Sequence, residues 1–153
     1  MMFGSGSCSN ERRRIIKTAL LLGLSFWIFG CSTPSLESLA CIDARPSVRE
    51  FYSFHIGNDM ALTNETLKRR ERFLSKSLFS SLVDQSEGTD PFTTGTSDVP
   101  RAFRVGECKE IGQKRVNFQI LLFWRDETTA AQKLINVEMA AENGRWLVDK
   151  ITF

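Results

Sequence analysis

The pattern of apolar and polar positions divides the chain into three stretches. The first is an unbroken apolar run, Thr18-Ala-Leu-Leu-Leu-Gly-Leu-Ser-Phe-Trp-Ile-Phe-Gly30, preceded by a basic segment from Arg12 to Lys17. It is shorter than the ~20 apolar residues that a bilayer-spanning helix needs, and it stops abruptly at the polar Cys31-Ser-Thr-Pro-Ser. A basic region, a short apolar region and a small residue at its end are the parts of an export signal in their working order.

In the second stretch apolar residues recur every three or four positions. Pro46 suits the first turn of a helix in which Val48, Phe51, Tyr52 and His55 share a face, and Gly57-Asn58 ends it. Thr63 or Asn64 can cap a second helix whose stripe runs through Leu67, Phe73 or Leu74, Leu78 and Leu82 to the polar loop at Asp84. From Arg101 the period changes to two. Val116, Phe118, Ile120, Leu122 and Trp124 alternate with polar residues, Ile135, Val137 and Met139 repeat the alternation, and Asn143-Gly144 supplies a type I′ hairpin turn into a last strand, Arg145 to Phe153. Helices followed by a run of four antiparallel strands predict an α+β fold, with two N-terminal helices packed on one face of a curved four-stranded sheet.

The expected organisation is a signal peptide over 1–30, a flexible tether over 31–45 and one domain over 46–153. Removing the leader leaves about 123 of the 153 residues, enough for a core, and nine of the chain's 12 phenylalanines remain to supply much of it. The formal charge of +2 belongs to the leader, where Arg12, Arg13, Arg14 and Lys17 outweigh Glu11. The remainder has one more acid than base, which leaves no global electrostatic reason to bind nucleic acid.

The junction Ile28-Phe29-Gly30-Cys31 resembles the lipobox of bacterial lipoproteins, with an aliphatic residue three before an obligatory cysteine and a small one beside it. Phe29 is bulkier than that family usually carries. The resemblance implies that Cys31 receives a thioether-linked diacylglycerol, that signal peptidase II cuts after Gly30, and that the new amino group is acylated in turn. The soft thiolate is the nucleophile that lipid transfer uses, and Gly30 gives the protease access. Each buried CH₂ contributes about 0.8 kcal/mol, so two or three chains hold a protein on a membrane where one does not. Ser32 in place of Asp favours the periplasmic face of the outer membrane in a cell with two membranes.

The segments Val48-Arg-Glu-Phe-Tyr, Arg70-Glu-Arg-Phe-Leu-Ser-Lys-Ser-Leu, Asp90-Pro-Phe, Val116 to Trp124 and Gly144-Arg-Trp-Leu-Val-Asp-Lys-Ile are similar to small exported proteins of the nuclear transport factor 2-like, or cystatin-like, group. The nearest resemblance is to a family of domains of unknown function. It implies a cone-like half-barrel with a pocket, used by relatives for isomerisation, dehydration or protein docking, so the fold alone does not assign a role.

Candidate chemistry is sparse. Cys41 and Cys108 are the two cysteines left after the leader and Cys31, and two readings stand. A disulfide would contribute roughly 3 to 5 kcal/mol in an exported chain; the alternative is a pair of free thiols. With one histidine besides, no metal site and no cofactor is expected. His55 and Tyr52 are the candidate pocket residues. A lone histidine on an apolar helical face is ordinarily a core residue, and no carboxylate at a nearby spacing orients it. Asp126 and Asp149 read as solvated, the latter beside Lys150 and Arg145. The basic run Lys68, Arg69, Arg70, Arg72 and Lys76 reads as a solvated helix face, or as a surface for anionic headgroups or an acidic partner. The segment Asp90 to Pro100 is a crossover loop or a pocket rim, and the acceptor pattern Asn64-Glu65-Thr66 is idle in a bacterial lipoprotein.

The sequence therefore points to a non-enzymatic, lipid-anchored accessory or binding protein of the cell envelope, engaging an envelope protein or a small apolar ligand. Two alternatives stand beside it: a small isomerase- or dehydratase-like enzyme using His55 or Tyr52, and a structural or immunity-type envelope protein.

Overall fold

The computed structural model describes residues 36–85, 89–94, 99–125 and 130–153. The export signal, Cys31, Asp126 and part of the 90–100 loop lie outside the described residues. The chain divides into two units, Met1–Leu36 and Glu37–Phe153, and the second is the α+β domain. Its elements are α1 (Leu39–Ile56), α2 (Asn64–Arg70), a 3-10 turn (Glu71–Phe73), α3 (Lys76–Val83), β1 (Ala102–Gly112), β2 (Arg115–Arg125), β3 (Ala130–Glu142) and β4 (Arg145–Thr152). Among the described residues no helix is long and apolar enough to cross a membrane.

The four strands form an antiparallel meander in the order β1-β2-β3-β4. Period-two patterning decides which face is buried. Val116, Phe118, Ile120 and Leu122 of β2 lie on the same side as Ile135, Val137 and Met139 of β3, all essentially without solvent exposure. Fully burying one such side chain stabilises by about 1.5 to 3 kcal/mol. α1 packs against β1, β2 and β4, while the 3-10 turn and α3 pack against β4. At the β3–β4 hairpin, Asn143 and Gly144 take φ of 50° and 77°, the left-handed pair a type I′ turn requires.

The helices differ from expectation in two places. α1 does not open at Pro46 but at Leu39, so it includes the last part of the segment read as tether, and Pro46 lies inside it. An internal proline forfeits the bond to the carbonyl four residues back and costs about 3 kcal/mol. Three local ties offset this. The Ser38 side chain caps the helix by accepting from the Cys41 N–H, Arg45 pairs with Glu37, and Cys41 is bonded to Cys108 of β1, with 5.9 Å between their Cα atoms. Arg45 also donates to the carbonyl oxygens of Val105 and Gly106, at 3.5 and 3.1 Å. These carbonyls sit where β1 bulges, and Gly106 approaches β2 so closely that a Cβ there would meet the Gln119 carbonyl oxygen at 3.0 Å.

The expected second helix is two helices. After Arg70 the chain tightens into the 3-10 turn, Leu74 becomes extended and bridges Val148 of β4, and the Ser75 N–H donates to the Val148 carbonyl at 2.8 Å. Ser75 then caps α3 by accepting from the Leu78 N–H. Its hydroxyl offers the backbone a cap in place of continued helix, and the bridge to β4 adds an inter-element bond that an unbroken helix would lose.

Candidate functional site

Polar chemistry is concentrated in a buried network around His55 and in an exposed basic cleft. α1 presents Phe51, Tyr52 and His55 to the interior, all fully buried. Around them the Phe51 ring stacks on His55 with centroids 5.6 Å apart, Phe92 meets His55 edge-on at 5.1 Å, and Phe103 lies 5.7 Å from Tyr52. Aromatic rings fill the space beside these two side chains.

Both ring nitrogens of His55 are occupied. Nε2 lies 2.9 Å from Oδ2 of Asp90, and Nδ1 accepts from the Arg70 Nε–H at 2.8 Å. A guanidinium only donates, so Nδ1 carries the lone pair and Nε2 the proton given to Asp90. Arg70 bonds further to the carbonyl oxygens of Thr66 and Asp59, at 2.8 and 2.5 Å. Asp90 accepts from the Phe92 N–H and the Thr93 hydroxyl, at 2.9 and 2.6 Å, and the Tyr52 hydroxyl donates to the Phe92 carbonyl at 2.9 Å. One buried chain of bonds thus ties α1, the end of α2 and the 90–93 turn together.

Burial also shifts the titration of two of these groups. Burial lowers the Arg70 pKa from its ordinary value, opposed by the negative charges of Asp90 and Asp59. Burial also raises the Tyr52 pKa well above 10, with the Asp90 charge adding to it, which keeps the phenol a neutral donor. Asp90 and His55 form a carboxylate–imidazole pair, but with the carboxylate on Nε2, whereas a hydrolytic triad has it on Nδ1, and an arginine, which has no nucleophilic atom, occupies the other ring nitrogen.

Sequence reasoning singled out Tyr52 and His55 and missed the partners that bind them. Arg70 belongs by spacing to a solvated basic run, yet it is only 2% exposed. Asp90 belongs by sequence to a loop. The available signal was Asp90-Pro-Phe-Thr93, a turn sequence whose aspartate bonds its own backbone two residues on; nothing in the spacing indicates that the turn docks on α1. Asp149 pairs with Arg115 of β2, together with Glu138, and not with Arg145. These carboxylates raise the Arg115 pKa by hydrogen bonding.

The rest of the basic run borders an open cleft of about 500 Å³ between α2, α3 and the β3–β4 hairpin. Its cations are Lys68, Arg69, Arg72, Lys76 and Arg145, against the carboxylates Glu71 and Glu142, and Leu74, Phe79 and Leu147 supply its apolar lining. The Arg72 guanidinium lies 4.5 Å from the Phe73 ring centroid and 5.3 Å from that of Phe54. Arg145 donates to the Arg72 carbonyl oxygen. A second depression of about 550 Å³ shares Arg72, Arg145 and Leu147 and is walled on its far side by Asp43, Ser47 and Glu50 of α1. A third, about 650 Å³ and mostly apolar, lies at Ala102, Phe123, Trp124 and Ala131.

No family model matches the chain, and no curated protein matches it. A solved structure of a protein of unknown function from Bacteroides thetaiotaomicron is similar to it at 14% sequence identity and a TM-score of 0.46, over 94% of this chain and the whole of that one.

Proposed function

We propose that this chain is a lipid-anchored, non-enzymatic protein of the cell envelope whose domain works by binding at its surface. The leader and the lipobox-like junction at Cys31 support the anchor, and the helices-then-meander order suits the nuclear transport factor 2-like group that the sequence resembles. The observation that carries the binding reading is the double occupation of His55. With Arg70 on one ring nitrogen and Asp90 on the other, the domain's one histidine holds helices together, and an enzymatic role would require it to shed Arg70 first. The open concavities lie at the surface, where a partner or ligand reaches them directly.

Anchoring is tested by intact mass of the protein expressed in a bacterial host, with and without globomycin, beside a Cys31→Ala control. The expected product starts at an acylated Cys31, is replaced by precursor under globomycin and is absent from the control. A mature chain of unmodified mass refutes the anchor. The binding reading is tested separately, by His55→Gln: it predicts a less stable fold, while appearance of a carbonyl-isomerising or dehydrating activity in the parent that this variant loses would refute it.

A further inference from the structure

We propose that the basic cleft between α2, α3 and the β3–β4 hairpin seats the phosphates of anionic phospholipid headgroups, so that the domain lies down on the membrane its anchor enters. This rests on the anchored reading above and deepens it by naming what the surface binds. The chain apart from its leader is nearly neutral, yet five cations and only two carboxylates border one cleft. Such segregation within a nearly neutral domain is the electrostatic footprint of an anionic partner.

The cations are suited to phosphate in different ways. Arg72 is spread over the Phe73 and Phe54 rings, and a guanidinium held by stacking loses little freedom when it forks onto a phosphate. Lys68 and Lys76 are exposed and have no ion pair among the described residues, so meeting a headgroup breaks no existing pair. Arg69 is partly engaged by Glu65. The half-buried Phe79 and Leu147 add an apolar lining of the kind that settles at the headgroup boundary.

Position favours a membrane over an acidic protein. The chain from Cys31 to Leu39 reaches at most roughly 28 Å at about 3.5 Å per residue. Asp43, about 6 Å along α1 from Leu39, lines the second depression, which shares Arg72, Arg145 and Leu147 with the cleft. An anchor at Cys31 would hold the domain on a short tether at high effective concentration of headgroups, and each basic side chain close to an anionic surface strengthens binding about five-fold.

The test reconstitutes the purified full chain in vesicles of phosphatidylcholine alone, or with phosphatidylglycerol added, and measures lysine acylation by peptide mass spectrometry. Lys68 and Lys76 are expected to label several-fold more slowly in the anionic vesicles only. Exposed Lys109 and Lys114, on β1 and its turn, serve as references that do not change. Half-molar salt, with a screening length of about 4 Å, should abolish the protection, and so should Arg69→Gln with Arg145→Gln, which lowers affinity about 25-fold at five-fold each. Equal labelling in both vesicles overturns the proposal. Protection in phosphatidylcholine vesicles by added inorganic phosphate alone assigns the cleft to a free anion, and protection that needs an added acidic protein assigns it to a protein; either result overturns the membrane assignment. Intact mass of the same sample reads the anchor independently, so an acylated chain without protection refutes the cleft and leaves the anchor standing.

Discussion

Removing Arg70 and Asp90 singly and together tests the network through the tautomer of His55. In Arg70→Met, the Nδ1 lone pair of His55 and the carbonyls of Thr66 and Asp59 lose their donors, and the Asp90 charge keeps no cation behind the imidazole. Breaking a buried charged network of this kind costs about 3 to 5 kcal/mol, or roughly 15 °C in melting temperature for a domain this size. In Asp90→Asn the acceptor facing His55 Nε2 and the Thr93 hydroxyl becomes an amide donor, while Arg70 still forces Nε2 to carry the proton. Two donors then face each other, at a cost of about 2 to 3 kcal/mol. The double variant removes that compulsion: without Arg70 the imidazole can move its proton to Nδ1 and accept from the new amide. Its loss should fall short of the sum of the single losses by at least about 1 kcal/mol. Urea unfolding of the disulfide-intact protein, followed by far-ultraviolet circular dichroism, measures all three. Additivity within about 0.5 kcal/mol, or an Arg70→Met cost below about 1 kcal/mol, refutes the reasoning. Arg70→Lys keeps the charge but replaces a three-way fork with a single donor centre, so it should recover less than half of the loss.

Two further outcomes follow from the geometry. Cys41 and Cys108 are separated by 67 residues, so on the chain-entropy model reduction, or Cys108→Ser, should destabilise by about 4 kcal/mol, seen as a fall in the urea midpoint on adding dithiothreitol that the variant does not show. Tyr52 is the chain's single tyrosine, and burial raises its pKa in the fold. Its contribution is complete below pH ~10; above that the unfolded chain releases the proton that the folded chain keeps, and stability falls by about 1.4 kcal/mol per pH unit until the folded pKa is passed. Tyr52→Phe should cost about 1 kcal/mol at neutral pH and flatten that alkaline decline, and phenolate absorbance should emerge only with unfolding; phenolate titrating near pH 10 in the folded protein would contradict the assigned burial.

Local rules carried the sheet. Alternation along Val116 to Trp124 and at Ile135, Val137 and Met139 has a period of two wherever one face is buried, and Asn143-Gly144 is among the few pairs that accept two positive φ angles cheaply. Each of these can be read within a few residues. The helices were legible as amphipathic segments but not in their ends. Pro46 is a helix opener by local preference, and only the contacts of Cys41, Ser38 and Arg45 carry α1 past it to Leu39. The apolar stripe from Leu67 to Leu82 is continuous by spacing, and only the meeting of Leu74 and Ser75 with Val148 breaks it.

The network was illegible for the same reason. Arg70, in a run of five basic residues over nine positions of sequence, and Asp90, in a turn, look solvated by themselves, because burial of a charge is decided by what it meets across the fold. Periodicity, turn chemistry and the order of helices and strands are legible along the chain because each is a property of sequence neighbours. Tertiary structure alone decided which charges go inside: Arg70 and Asp90 are 15 and 35 residues from His55, and only when packing brings them to hydrogen-bonding distance does desolvating them become affordable.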